Sequence, residues 1–375
     1  MGNQLSALWQ AKPDCKPLIF RVSVPDARDF NYNSLCNHDT KRCDLKPRVS
    51  LRVNCPPIAL RGNRSSLPMA STVEAATCLI EYQSLRRIRS ERAFANAKRA
   101  ADTRHPSSRR HVVPSTSYLL RSALELEGLT VEQGVAPSLR DCFKSVSAYG
   151  IVDGHHESDD ASSDIHEDHV FRSTPLRLCY ARVQQTVCAL KQALHDDCPV
   201  AFGLTMYQSM DNVTTLRTGR IFTPTMVEPR HNGGDTVLVS SNVACSECRA
   251  YPSTPPPPES ETATGPCDHQ ADNDNDAAAD ANAVSNIEAA SSSDSEDDRD
   301  LEEEKDRFIG GVSMVLVGYD DEQKLFMVRT PFGAAWGDGG YGYLPYEYVC
   351  NPGLATDFWT LIETAEGIKT ESPAC

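Results

Sequence analysis

Residues 308–348 read FIGGVSMVLVGYDDEQKLFMVRTPFGAAWGDGGYGYLPYEY. The run from Val312 to Tyr319 predicts a strand. Asp320-Asp321-Glu322-Gln323 predicts a polar turn, and Leu325 to Arg329 a second strand. A loop dense in glycine (333, 337, 339 and 340) leads to a third strand of alternating tyrosines. Mostly apolar runs joined by short polar turns describe buried antiparallel sheet. The glycines mark backbone that turns sharply or is closely approached.

The chain of 375 residues is long enough to bury a sizeable core in one large domain or two lobes. Its net charge of −15 is unevenly placed: residues 259–307 hold seventeen Asp and Glu against three Lys and Arg. The rest is close to neutral, so the overall acidity carries no information about substrate. No apolar run reaches the ~18 residues of a membrane-spanning helix. The N-terminus lacks a basic-then-apolar signal pattern, so secretion is not expected. Fourteen cysteines without such a signal read as reduced thiols in a cytoplasmic setting, host cytoplasm or virion in a virus.

The opening stretch resembles the C-terminal half of the papain family of cysteine peptidases. That family carries Gly-His-Ala before a Val-Gly-Tyr strand, then Asn-Ser-Trp-Gly-x-x-Trp-Gly, then Gly-Tyr. The frame stands at Gly311, Val317-Gly318-Tyr319, Gly333, Trp336-Gly337 and Gly340-Tyr341. Upstream, Pro25 to Phe30 and Asp44-Leu45-Lys46-Pro47 resemble the entry of the branch found in bacteria and large DNA viruses. Arg61-Gly62-Asn63-Arg64-Ser65-Ser66-Leu67 keeps the spacing of its Gln-Gly-x-x-Gly-x-Cys motif. The Ser138-Leu139-Arg140-Asp141 helix, Cys198-Pro199-Val200 to Tyr207, and Asp357-Phe358-Trp359 continue the likeness; Trp359 reads as core.

The resemblance implies an α+β architecture within residues 25–361. A helical lobe would span about 67–195. A β-barrel-like antiparallel lobe would span about 196–361 with the N-terminal segment, and a cleft would lie between. It does not carry the family's chemistry across. The oxyanion glutamine corresponds to Arg61, the nucleophilic cysteine to Leu67, the general-base histidine to Val312 and the orienting asparagine to Thr330. A thiolate nucleophile needs an ionisable sulfur at a helix N-terminus beside an imidazolium. Leu67 cannot ionise and Val312 cannot accept a proton. Ser65, Ser66 and Ser313 offer hydroxyls, but no histidine lies near them in sequence. The expectation is a papain-fold homologue without peptidase activity, binding a peptide or protein at the cleft. An active cysteine-type endopeptidase with non-standard residues is the alternative, and a membrane-attached scaffold the second. No cofactor is implied.

Four further features stand outside that frame. Gly2, after Met1 and four residues before Ser6, fits N-myristoylation; one acyl chain anchors only reversibly. Residues 84–111 form a basic insertion with nine Lys and Arg against Glu91 and Asp102. Only Phe94 interrupts it, so base stacking has little support and a surface helix is expected rather than a nucleic-acid site. His155, His156, His166 and His169 lie among carboxylates at no fixed metal spacing. The second insertion, 242–307, is Pro-rich and then acidic and is expected to be disordered. It holds Cys245, Cys248, Cys267 and His269, which have zinc-ligand residue types. It also holds Ser293 and Ser295, each three residues before an acid and so candidates for phosphorylation. Residues 1–24 and 362–375 read as tails.

Overall fold

The computed structural model describes residues 20–36, 45–58, 67–99, 111–154, 170–171, 178–224, 226–227, 237–238 and 306–363. These belong to one compact unit formed by Met1–Arg249 and Glu304–Cys375; the second unit, Ala250–Glu303, lies outside them. In chain order the strands are β1 (Phe30–Asn31), β2 (Arg48–Ser50), β3 (Ile151–Val152), β4 (Val170–Phe171), β5 (Leu178–Arg182) and β6 (Val200–Tyr207). Then come β7 (Met226–Val227), β8 (Val237–Leu238), β9 (Phe308–Asp320), β10 (Leu325–Arg329), β11 (Tyr341–Pro345) and β12 (Ala355–Glu363). The helices are α1 (Tyr32–Leu35), α2 (Leu67–Arg99), α3 (Thr116–Glu125), α4 (Leu139–Tyr149), α5 (Val187–His195), α6 (Val213–Thr218) and α7 (Tyr346–Cys350).

An eight-stranded sheet runs in the order β1-β5-β12-β6-β9-β10-β11, with β2 also on β9. Every pairing in it is antiparallel except β1 with β5. Among the described residues the path stays open, with β1 at one end and β11 at the other. β6 is buried along its whole length and β9 nearly so, because both faces of these central strands are covered. That is why they read as continuous apolar runs instead of alternating ones. β5 joins this sheet from within the stretch assigned to the helical lobe. Its small inward residues Cys179 and Ala181 are buried while their neighbours are half-buried.

The helices pack beside the sheet on α2, which runs 33 residues, roughly 50 Å at 1.5 Å per residue. Its first half buries Val73, Ala76, Leu79, Ile80 and Tyr82. The basic stretch from 84 begins as a continuation of this helix, as expected. Its arginines turn back on the body: Arg86 pairs with Asp197 at 3.1 Å, Arg87 with Glu363 of β12 at 3.5 Å, and Arg89 donates to the Asn54 carbonyl at 3.2 Å. α3 and α4 start on serine caps, Ser115 accepting from the Tyr118 amide and Ser138 from the Asp141 amide, each at 3.1 Å. α4 stops at Gly150 with φ of 86°, a conformation that disfavours side chains.

An N-terminal strap crosses the seam between these helices and the sheet. The Phe20 ring lies on Gly203 of β6, where a Cβ would come within 2.0 Å of it. The Ser23 amide and hydroxyl both donate to Asp357 Oδ2, at 3.1 and 2.8 Å, and the Trp359 indole donates to Oδ1 at 2.7 Å. Trp359 is fully buried, as read from the sequence. No helix among the described residues is long and apolar enough to cross a membrane.

Candidate functional site

The start of α2 meets β9 through hydroxyl groups. The Ser71 and Thr72 hydroxyls each donate to the Pro68 carbonyl at 2.9 Å. With those protons committed, both oxygens face β9 as acceptors. The Ser313 amide donates to Ser71 Oγ at 3.0 Å, and the Ser313 hydroxyl lies 3.0 Å from Thr72 Oγ1. All three side chains are buried. The bonds fix the helix on the strand where a helix-borne nucleophile and a strand-borne base would have to meet.

Val312, the position the resemblance gives to the general base, is fully buried within the main hydrophobic core. It pairs with Leu204 of β6. Thr330, the position given to the orienting asparagine, is buried too. Both its amide and its hydroxyl donate to the Gly340 carbonyl, at 3.0 and 2.9 Å. The side chain therefore fastens the glycine-dense loop and points its proton away from β9. Leu67 opens α2; its side chain, like Arg61, lies outside the described residues.

Next to Thr330 the buried guanidinium of Arg329 donates to the carbonyls of Pro56 and Pro57, the latter at 3.0 Å. It also lies 4.0 Å from Glu74 on α2. Arg329 so ties β10 to the chain entering the 59–66 segment. Sequence reasoning missed this residue, because only its partners reveal it. Cys55 and Cys78 sit within its electrostatic reach, but burial pushes the Cys55 thiol up to about 12, so it stays protonated at neutral pH.

The space left between these groups is a cavity of about 10 Å³ lined by Ser71, Glu74, Ser313, Arg329, Thr330 and Pro331, among others. That is about the room for a single water. Among the described residues its lining holds no cysteine and no histidine. His111 sits beside Glu81 at 3.2 Å and His195 beside Asp196 at 3.7 Å; neither reaches this cavity.

The whole arrangement can be set against solved structures. Xylellain, a cysteine protease from Xylella fastidiosa, superposes over 93% of this chain and 97% of its own, with a TM-score of 0.54 at 19% identity. The fold is papain-like. A procathepsin L2 proteinase from the larval midgut of Tenebrio molitor aligns over 92% of the chain at 12% identity, with a TM-score of 0.48. A peptidase C1-like protein of Acanthamoeba polyphaga mimivirus is 40% identical over 60 residues. Those residues are 16% of this chain and 19% of the viral protein. No family model matches the chain. In this papain-like frame the α2 start and β9 carry the positions the resemblance assigned to nucleophile and base.

The remaining sequence candidates do not gather at this site. Gly2, the histidines at 155, 156, 166 and 169, Cys245, Cys248, Cys267, His269, Ser293 and Ser295 all lie outside the described residues. Among the described residues no group of three His, Cys, Asp or Glu side chains is placed to hold a metal.

Proposed function

We propose that this papain-fold chain lacks peptidase activity and binds a peptide or protein segment at the surface of the former cleft, over the closed joint between α2 and the sheet. One observation carries the reading. The seam where hydrolysis would take place is fastened by Ser71, Thr72 and Ser313 and leaves about 10 Å³ beside them. Peptide hydrolysis by this fold needs a thiolate, a base within hydrogen-bond reach and room for a tetrahedral carbon. Loss of any one member of such a unit costs orders of magnitude in rate. Val312 and Thr330 offer neither a base nor an orienting amide. Glu74, whose side chain is 22% exposed, is the charged group at the rim that a bound segment would meet.

Among the described cysteines, Cys36, Cys55, Cys142, Cys179 and Cys198 are free thiols. That suits a reducing, cytoplasmic-type compartment and, with the viral relative, is part of the same reading.

The test is a fluorogenic peptide library together with an epoxide probe for reactive thiols, applied to the full chain. The expected outcome is no turnover above the blank and no stoichiometric labelling. Turnover that vanishes on changing one particular cysteine would overturn the proposal.

A further inference from the structure

Residues 20–24 form the strap that crosses to β6, and Arg21 ties it to the helices. The Arg21 guanidinium pairs with Glu127, just beyond the end of α3. Its backbone forms a parallel bridge with Ser138, the cap of α4. The Ser138 hydroxyl in turn donates to Asp141. Glu127 therefore stands between a cation on the strap and a carboxyl group on α4, within hydrogen-bond reach of both.

Those two partners favour opposite forms of Glu127. Asp141 accepts from the protonated acid, whereas Arg21 pairs with the carboxylate. Burial first, and then Asp141, lifts the group to about 7 in spite of Arg21. The Cys142 thiol of α4 also faces Glu127, but burial pushes it up so far that it stays uncharged at neutral pH. Glu127 thus changes partner across neutral pH. Below about 7 it holds its proton towards Asp141 and Arg21 has no anion to grip; above that value the ion pair is complete. Ionising Glu127 costs the fold as a whole, and Arg21 offsets part of that cost only once the proton has left.

The root of the strap is held independently. Arg140 donates to the Val24 carbonyl at 3.5 Å, to Asp26 Oδ2 at 2.6 Å and to Asp29 Oδ1 at 2.7 Å. Arg28 first, and then Arg140, holds the Asp26 carboxyl far below the usual carboxylate range, so this clamp keeps its charge in mild acid. The part that can lift lies before it. Phe20 is buried against Gly203 but is not a member of the main core cluster. Val22 and Val24 are exposed, which leaves the outer side of the strap in water.

We propose that Arg21, Glu127 and Asp141 form a proton-operated catch on the N-terminal strap: departure of the proton between the two carboxyl groups fastens Arg21, and its return frees residues 20–24 to lift from β6. The catch does not rest on the seam reading. The reporter is the Ser23 amide, which donates to Asp357 only while the strap is down. Its hydrogen exchange is followed in the full chain, with the intrinsic pH dependence of exchange divided out. Arg21→Met should speed this exchange about threefold or more at about pH 8.5, the range of a partly exposed ion pair, and hardly at all at about pH 6. Arg21 acting through packing alone would give the same ratio at both. Asp141→Asn, which removes the competing carboxyl, should carry the effect of Arg21→Met to lower pH. In a Glu127→Gln background the effect should lose its pH dependence. A ratio that is flat with pH, a larger ratio in acid, no displacement with Asp141→Asn, or a pH dependence that survives Glu127→Gln would each overturn the proposal. Should Glu127→Gln fold poorly, the Asp141→Asn displacement decides.

Discussion

The Ser313 amide and the Ser71 hydroxyl meet at 3.0 Å across the joint between α2 and β9. Without that oxygen a buried backbone N–H has no acceptor, which costs about 1–3 kcal/mol. Ser71→Ala should lower stability by about that amount in urea unfolding. An unchanged midpoint would show that the bond does not hold the helix on the strand.

Arg329 holds two carbonyls that nothing else here replaces. Hydrogen bonds from a charged donor contribute about 1.5–3 kcal/mol each. Arg329→Met should therefore cost about 3 kcal/mol or more. Glu74→Gln, touching a pair 4.0 Å apart at a partly exposed carboxylate, should cost less than about 1 kcal/mol. Denaturation midpoints in the reverse order would contradict the assignment of Arg329 as the fastening group.

The strap supplies a double-mutant cycle. A methyl on Gly203 would stand 2.0 Å from the Phe20 ring, and overpacking of this kind costs about 1–3 kcal/mol. Gly203→Ala should be harmful in the native chain and nearly neutral once Phe20→Ala has cleared the space. Additive effects in unfolding experiments would mean that the ring does not lie on the strand.

Glu127 gives stability a pH dependence of defined sign. Burial first, and then the neighbouring Asp141 carboxyl, push it up to about 7, against the pull of Arg21. The folded state therefore holds a proton that the unfolded chain releases near 4.5. The contribution of this group is favourable at low pH and is lost as pH rises from about 4.5 towards about 7. Glu127→Gln should remove that decline, so the difference in stability between variant and native chain grows over this window. Parallel pH profiles would refute the assignment.

Much of the sheet was legible because its pattern is local. β10 falls on Leu325–Arg329 as read, and the turn before it is held by Asp320, which accepts from the Glu322 and Gln323 amides. β9 starts four residues earlier than the apolar run suggested, at Phe308. Gly310 and Gly311 interrupt the pattern but still pair with β6. β5 was missed because cysteine and alanine are weak strand signals. Long-range ties were out of reach. Nothing near Ser23 announces Asp357, which lies 334 positions away, and a free oxygen on Asp29 is visible only once Arg140 is seen to occupy the other. At the seam, sequence marked Val312, Thr330 and the hydroxyl of Ser313, whereas Ser71, Thr72 and Arg329, which join α2, β9 and β10 with it, went unmarked.

The tight fit around Val312 bears on any effort to engineer hydrolysis into this scaffold. An imidazole written at that position would enter a fully buried, apolar interior beside Leu204, where burial disfavours its protonation. Two point changes at 67 and 312 would thus buckle the joint before they armed it. A working design would first have to unpick the serine and threonine rivets and make a hollow for the ring.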